Sequence, residues 1–112
     1  MTGAGGQVGL ALRDHLPGAG FLTHAELDVT DPAAVRDALA GADLVVHAAA
    51  MTDVDGCERD PERADAVNAA GAANVASAGT RVIHLSTDYV FSGESAGEYA
   101  EEFLGLDWYS SV

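Results

Sequence analysis

The sequence predicts an α/β protein of alternating parallel strands and helices, and three features carry that expectation. A glycine-rich stretch, Thr2-Gly3-Ala4-Gly5-Gly6-Gln7-Val8-Gly9, stands at the front of the chain. Two apolar runs, Asp43-Leu44-Val45-Val46-His47-Ala48 and Arg81-Val82-Ile83-His84-Leu85-Ser86, have the continuous hydrophobicity of strands buried on both faces of a parallel sheet. Helix-start and helix-stop residues punctuate the segments between them, as layered α/β folds require.

Each element follows in order. Gly3, Gly6 and Gly9 are spaced G-x-x-G-x-x-G. Such a loop lets a backbone approach a pyrophosphate without Cβ atoms in the way, and a helix over Val8 to Leu16 would aim its free N–H groups at the phosphates. Val8, Leu10, Leu12 and Leu16 belong to that helix, and Pro17-Gly18 stops it. Phe21-Leu22-Thr23 is a short strand, and Ala25 to Val29 a second extended piece. Thr30-Asp31-Pro32 starts a helix with a capping side chain followed by proline. Val35, Ala38 and Leu39 give it an apolar face, and Gly41 ends it. Asp60-Pro61-Glu62 repeats the start signal. Ala64, Val67, Gly71 and Val75 then share one helical face, with Gly79 as the stop. Beyond Phe91 the pattern gives way to Gly, Ser and Glu.

Composition narrows the function. The 112 residues suit one domain, and 48% hydrophobic content supports a modest core. Net charge is −13, with five Arg and no Lys. That field argues against nucleic acid or an anionic membrane as a partner. A bound anion would have to be held by backbone N–H groups. The single cysteine, Cys57, fits a reducing cytoplasm, and no apolar run reaches membrane-spanning length. His15, His24, His47 and His84 lack metal-ligand spacing, so no metal site is expected. His47 and His84 lie inside strands and read as packed core residues.

Ligands in open α/β sheets sit at the carboxyl ends of the strands. Ala48-Ala49-Ala50-Met51-Thr52 follows one strand, and its small side chains would let a flat cofactor lie against backbone. Ser86-Thr87-Asp88-Tyr89 follows the next and offers hydroxyls, a carboxylate and a phenol. The same residues also serve as ordinary loop caps. Asp28 lies nineteen residues past Gly9, the spacing of a ribose-binding acid, and reads equally as a cap close to Thr30. Thr23-His24 supplies neither a clear ribose-binding acid nor an Arg for a 2′-phosphate.

Thr2 to Gly9 resembles the T-G-x-x-G-Q-[LV]-G of the extended short-chain dehydrogenase/reductases. Ala25 to Asp31, Val46 to Asp55 and Leu85 to Phe91 narrow the resemblance to the N-terminal part of the dTDP-4-dehydrorhamnose reductases, over residues 2–101. It implies a Rossmann-like doubly wound parallel sheet, here an incomplete NAD(P)-binding domain over residues 1–112. The first strand, central in a 3-2-1-4-5 order, and the C-terminal substrate domain would be absent. It implies reduction of the 4-keto group of a dTDP-6-deoxy-4-hexulose to dTDP-L-rhamnose with NADPH or NADH. By the resemblance Thr87 is the catalytic hydroxyl. Gly3, Gly6, Gln7, Val8 and Gly9 hold the pyrophosphate, and Asp28 and Val29 flank the adenine. Ala48, Ala49 and Thr52 line the nicotinamide-side ribose, and Val54 and Tyr89 contact the dTDP-sugar. A cytoplasmic location is expected from the lone cysteine, and strands left without a central partner offer edges at which a homo-oligomer would form. The sequence departs from the family after Phe103, leaving a divergent tail over residues 103–112. The Y-x-x-x-K pair is not present, Tyr109 lies near the expected Tyr, and no Lys can complete the triad. Alternatives are a non-catalytic nucleotide-binding or regulatory module, similar to the regulatory subunit of methionine adenosyltransferase, or a remnant without function.

Overall fold

The computed structural model describes residues 1–88, 91, 93, 94 and 96–98. Tyr89, Tyr109 and the tail over 103–112 lie outside the described residues. The elements are α1 (Gln7–Leu12), α2 (Pro32–Leu39), β1 (Leu44–His47), α3 (Val54–Arg59), α4 (Pro61–Asp65), a π-helical turn (Ala66–Ala70), α5 (Gly71–Ala76) and β2 (Arg81–His84).

β1 and β2 pair in parallel, with Val45 opposite Val82 and His47 opposite His84. The place expected to lack its strand is filled by the first residues of the chain. Thr2 forms parallel bridges to Leu22 on one side and to His47 on the other. Its N–H donates to Val46 O at 3.0 Å, Leu22 N–H donates to Met1 O at 2.9 Å, and Ala4 N–H donates to Leu22 O at 3.1 Å. Across the sheet the order is Leu22, Thr2, β1, β2. Residues 21–23 and β1 therefore do have a partner between them, supplied by only three or four residues.

The capping chemistry acts as read. Asp31 accepts from Ala33 N at 2.9 Å and Ala34 N at 3.1 Å, with Pro32 as the first helical residue of α2. Asp60 accepts from Arg63 N at 3.1 Å, with Pro61 opening α4. Gly41 takes a positive φ of 79° where α2 ends. From Pro61 to Ala76 the helical run is continuous, and Ala64, Gly71 and Val75 are buried with Val67 partly so.

Four expectations need correction. The first helix ends at Leu12 rather than Leu16, and turns follow it, such as Leu16 N–H to Leu12 O at 3.0 Å. Pro17 disfavours a helical residue before it, so the last turn loosens. The extended piece at 25–29 is not a strand. Glu26 accepts from Thr23 N and Oγ1, Asp28 accepts from Thr30 N and Oγ1, and these local bonds fold the segment into turns. A short helix, α3, was not expected, because six residues with Gly56 at the centre give little helical signal. Finally, the strands are not covered on both faces. Val45 and His47 are buried, whereas Leu44 and Ile83 stay about half exposed at 46% and 49%.

The core lies on the Val45 side, where Leu27, Val29, Val35, Leu39, Val45 and Val75 cluster under α2 and α5. Thr2 and His47 are buried beside it, with Thr2 Oγ1 2.7 Å from His47 Nδ1. His47 Nε2 is buried and makes no hydrogen bond among the described residues. The His84 ring stacks on His47 at 5.2 Å but is itself exposed, so only one of the two strand histidines is a core residue.

Burial, and next the nearby His84, lower the His47 pKa from 6.5 to about 4. The unfolded chain binds this proton at higher pH than the native state. Stability from this group is thus complete above the unfolded value and declines as pH falls from there toward the folded one. Urea denaturation at pH near 7 and near 5 is expected to show a loss of about 2 kcal/mol across that interval. The loss is expected to vanish in His47→Asn, and an equal loss in that variant would assign it elsewhere.

Candidate functional site

The site grows out of the turn after Thr2. Gly3 has φ of 69°, and a Cβ there would fall 2.5 Å from the Ala48 carbonyl and the Ala49 nitrogen. The loop after the first strand is thus pressed against the loop after β1 with no room for a side chain. Gly9 plays the matching part on α1. A Cβ on it would fall 2.6 Å from Gly3 O and Ala4 Cα, so the helix lies directly on its own loop. Gly6 is the extended residue before α1, donating its N–H to Gly3 O at 3.1 Å and offering no capping side chain. Gly5 and Gly6 face open space, where the nearest atoms to an added Cβ are 3.9 and 3.4 Å away.

The facing walls are the loops at 27–30 and 48–51, and the long helical run holds both. Asn68, in the π turn, accepts from Met51 N at 2.8 Å and donates to Met51 O at 3.1 Å. Asn74, on α5, donates to Val29 O at 2.9 Å. Gly71 lets this helix approach, since a Cβ there would meet Val29 Cγ2 at 2.8 Å. A widened helical turn next to a ligand cleft is a recurrent way to aim one side chain out of register.

Between the glycine loop and these walls lies a cavity of about 370 Å³. Among the sequence-derived candidates Gly3, Gly6, Asp28, Val29, Ala48 and Ala49 line it. The structure does not bring the others to its lining. Gln7 and Val8 open α1 and are exposed, Gly9 is buried beneath the loop, Thr52 is exposed beyond Met51, and Val54 starts α3. Thr87 lies past the end of β2, where its hydroxyl donates to Asp88 Oδ1 at 3.4 Å. Gly5, His24, Leu27, Ala50, Met51, Arg63 and Val67 also line the cavity and were given no binding role from the sequence. Leu27 and Val67 looked like core residues. Arg63 follows a helix start and carries no signal of facing a loop more than thirty residues earlier in the chain.

Asp28 lines the cavity, and its carboxylate also ties the Asp28–Thr30 turn. Its carboxyl sits below the ordinary carboxylate range, chiefly because Thr30 N–H and then the Thr30 hydroxyl donate to it, with smaller help from His24 and Arg63 nearby. No group of three or more His, Cys, Asp or Glu among the described residues could hold a metal ion. No helix among them is long and apolar enough to cross a membrane.

A parallel sheet, a glycine turn between its central segment and a helix, and a cleft at the carboxyl edge define a Rossmann-like α/β domain. Residues 1–103 match the family described as the RmlD substrate binding domain, and the chain belongs to that family. The dTDP-4-dehydrorhamnose reductase of Mycolicibacterium smegmatis is 48% identical over 99 residues, covering 81% of this chain and 30% of that protein. A dTDP-4-dehydrorhamnose reductase of Bacillus anthracis, solved in complex with NADP, is 34% identical with a TM-score of 0.77 over 84% of this chain and 37% of that one. A hypothetical dTDP-4-dehydrorhamnose reductase from Sulfolobus tokodaii reaches 0.80 at 35% identity, over 97% and 46%. The chain spans about a third of the length of the curated relatives, 30% and 34% of two of them.

The two loop glycines should respond differently to substitution. Gly3→Ala combines a positive φ with a backbone collision and is expected to lower stability by about 2 kcal/mol or more. Gly5→Ala meets nothing closer than 3.9 Å and has no positive φ, so it should stay within about 0.5 kcal/mol of the parent. Denaturant melts of the two variants side by side check this, and equal losses would mean the loops do not meet as described.

Proposed function

We propose that this chain is the cofactor-binding part of an NAD(P)H-dependent reductase that acts on a dTDP-4-keto-6-deoxysugar. The observation that carries the reading is the cavity itself, walled on one side by glycine backbone and on the other by Leu27, Val29 and Val67. A dinucleotide fits this chemistry. Its pyrophosphate suits the bare backbone at Gly5 and Gly6 before α1, and a purine suits the apolar wall. The family match and the NADP complex of the B. anthracis relative support it. A regulatory, non-catalytic role is not favoured, since the relatives are named as reductases.

When bound, the dihydronicotinamide supplies the hydride. The chain's own task is to orient it and to stabilise the oxygen that gains charge. Thr87 is the residue proposed to donate a hydrogen bond to that carbonyl oxygen, and Tyr89 and Val54 are proposed to contact the sugar. A phenol made acidic by an adjacent ammonium would deliver the proton. These 112 residues contain no Lys, and an Arg is a bulkier fork that stays charged at any working pH.

Two measurements test this. NADPH is expected to bind the chain with a change in nicotinamide fluorescence, and Gly5→Val, whose Cβ would meet nothing nearer than Thr23 Cγ2 at 3.9 Å, is expected to weaken binding at least about tenfold with little change in melting temperature. Undiminished binding by Gly5→Val would remove the pyrophosphate from this loop. With NADPH and the dTDP-4-keto sugar, no turnover above the uncatalysed rate is expected from the 112 residues alone, whereas Thr→Val at the equivalent of Thr87 in a full-length homologous reductase should lower kcat by roughly 10²–10³. Turnover by the 112 residues would show that the ammonium is dispensable.

A further inference from the structure

We propose that Arg63 and His24 together form the subsite for the 2′-phosphate of NADPH, so that the cleft selects the phosphorylated dinucleotide over NADH. The proposal rests on the dinucleotide reading above and concerns which of the two cofactors the site takes. Neither residue is marked by a motif. The fold alone brings them together, His24 from the end of the strand position at Leu22 and Arg63 from the first turn of α4.

Three observations carry it. Both side chains line the one cavity, whose lining also includes Asp28 and the glycine loop. The proximity is electrostatic as well as geometric, since both help to hold the Asp28 carboxyl ionised after the two Thr30 hydrogen bonds. Second, Arg63 is the arginine that lines the cavity, and the other arginines, Arg81 at the start of β2 among them, do not. Arg36 lies 3.8 Å from Asp37, Arg59 lies 3.7 Å from Asp53, and Arg13 sits over the Phe21 ring at 5.0 Å. Arg63 has no ion pair within 4.0 Å among the described residues, while its backbone N–H is fixed on Asp60. Third, one oxygen of the carboxylate that would favour NADH is committed to its own turn. A ribose 2′-hydroxyl wants an acceptor, but Asp28 Oδ1 already accepts from Thr30 N at 2.9 Å and Thr30 Oγ1 at 2.8 Å. A dianionic 2′-phosphate wants cations in a fork, and guanidinium matches it in geometry and charge. On a chain of net charge −13, a guanidinium in the lining of the cleft is a local reversal of sign that such a phosphate needs, and the His24 ring adds a hydrogen-bond donor.

NADPH and NADH differ only by this phosphate, so their dissociation constants, read by calorimetry or nicotinamide fluorescence, isolate it. The parent chain is expected to bind NADPH at least about tenfold more tightly than NADH. Arg63→Gln should bring the ratio to within about threefold while leaving NADH affinity unchanged, and His24→Gln should lower it part of the way. Arg36→Gln, on the exposed face of α2, should leave it intact. Retained NADH binding also shows that each variant is folded. A parent ratio near one, or a ratio untouched by Arg63→Gln, overturns this subsite while leaving the dinucleotide reading in place. Equal loss of both cofactors in Arg63→Gln overturns it too, by placing Arg63 on the shared adenosine. If the parent binds neither cofactor, the dinucleotide reading itself fails.

Discussion

The whole arrangement depends on a few residues holding a central place in the sheet. Thr2 is bonded on both sides, to the Leu22 segment and to β1, and its side chain is buried against His47. Everything functional is referenced to that point. The glycine turn begins one residue later, and its direction is set by the backbone bonds of Met1, Thr2 and Ala4. Because Gly3 is wedged against Ala48 and Ala49, the glycine loop and the loop after β1 cannot move independently. A single polar residue with 1% exposure at the middle of a sheet would ordinarily be a burden. Here its backbone bonds and its hydroxyl contact are satisfied, which makes it a register pin.

The second constraint is the helical run from Pro61 to Ala76. It is more than a layer over the sheet. Asn68 and Asn74 each take hold of main-chain atoms in a wall of the cleft, and Gly71 allows the approach. Main-chain atoms held by amide side chains keep their positions without burying unpaired groups. The same helix contributes Val67 as an apolar wall and Arg63 as a charge. Sheet and helix therefore divide the work: the sheet fixes the bare backbone edge, and the helix fixes the shape and polarity of what faces it.

This division explains what could be read from the chain. Helix starts at Asp31-Pro32 and Asp60-Pro61 and stops such as Gly41 were legible because each rests on local geometry, and the two strand cores were legible because their apolar runs are continuous. So were Gly3, Gly6, Asp28, Val29, Ala48 and Ala49 as cavity residues, since they stand on the carboxyl edge or the loop before α1. The turn at 23–30 was not, because Thr23–Glu26 and Asp28–Thr30 bonds compete with strand pairing on equal terms in a pattern of alternating apolar residues. Asn68 and Arg63 were not legible either. Each sits on a helix where its spacing matches any exposed polar residue, and only the packing of that helix against loops seventeen and thirty-five residues distant gives it a role.

Charge then becomes a question of distance rather than of total. A net charge of −13 opposes an anion far from the surface, but salt screens such a field over about 8–10 Å, so the atoms lining the cleft decide the outcome. Those atoms are backbone edges at Gly5 and Gly6, alanine backbone at 48–50, and side chains of which Asp28 is the acid. Asp28 spends one oxygen on its own turn. His24 and Arg63 share the lining with it and help to hold it ionised. A strongly acidic chain can in this way set a guanidinium and bare backbone against a bound anion, because the fold brings residues 24, 28 and 63 to one cavity. That placement follows from the sheet order set by Thr2 and the helix position set by Gly71.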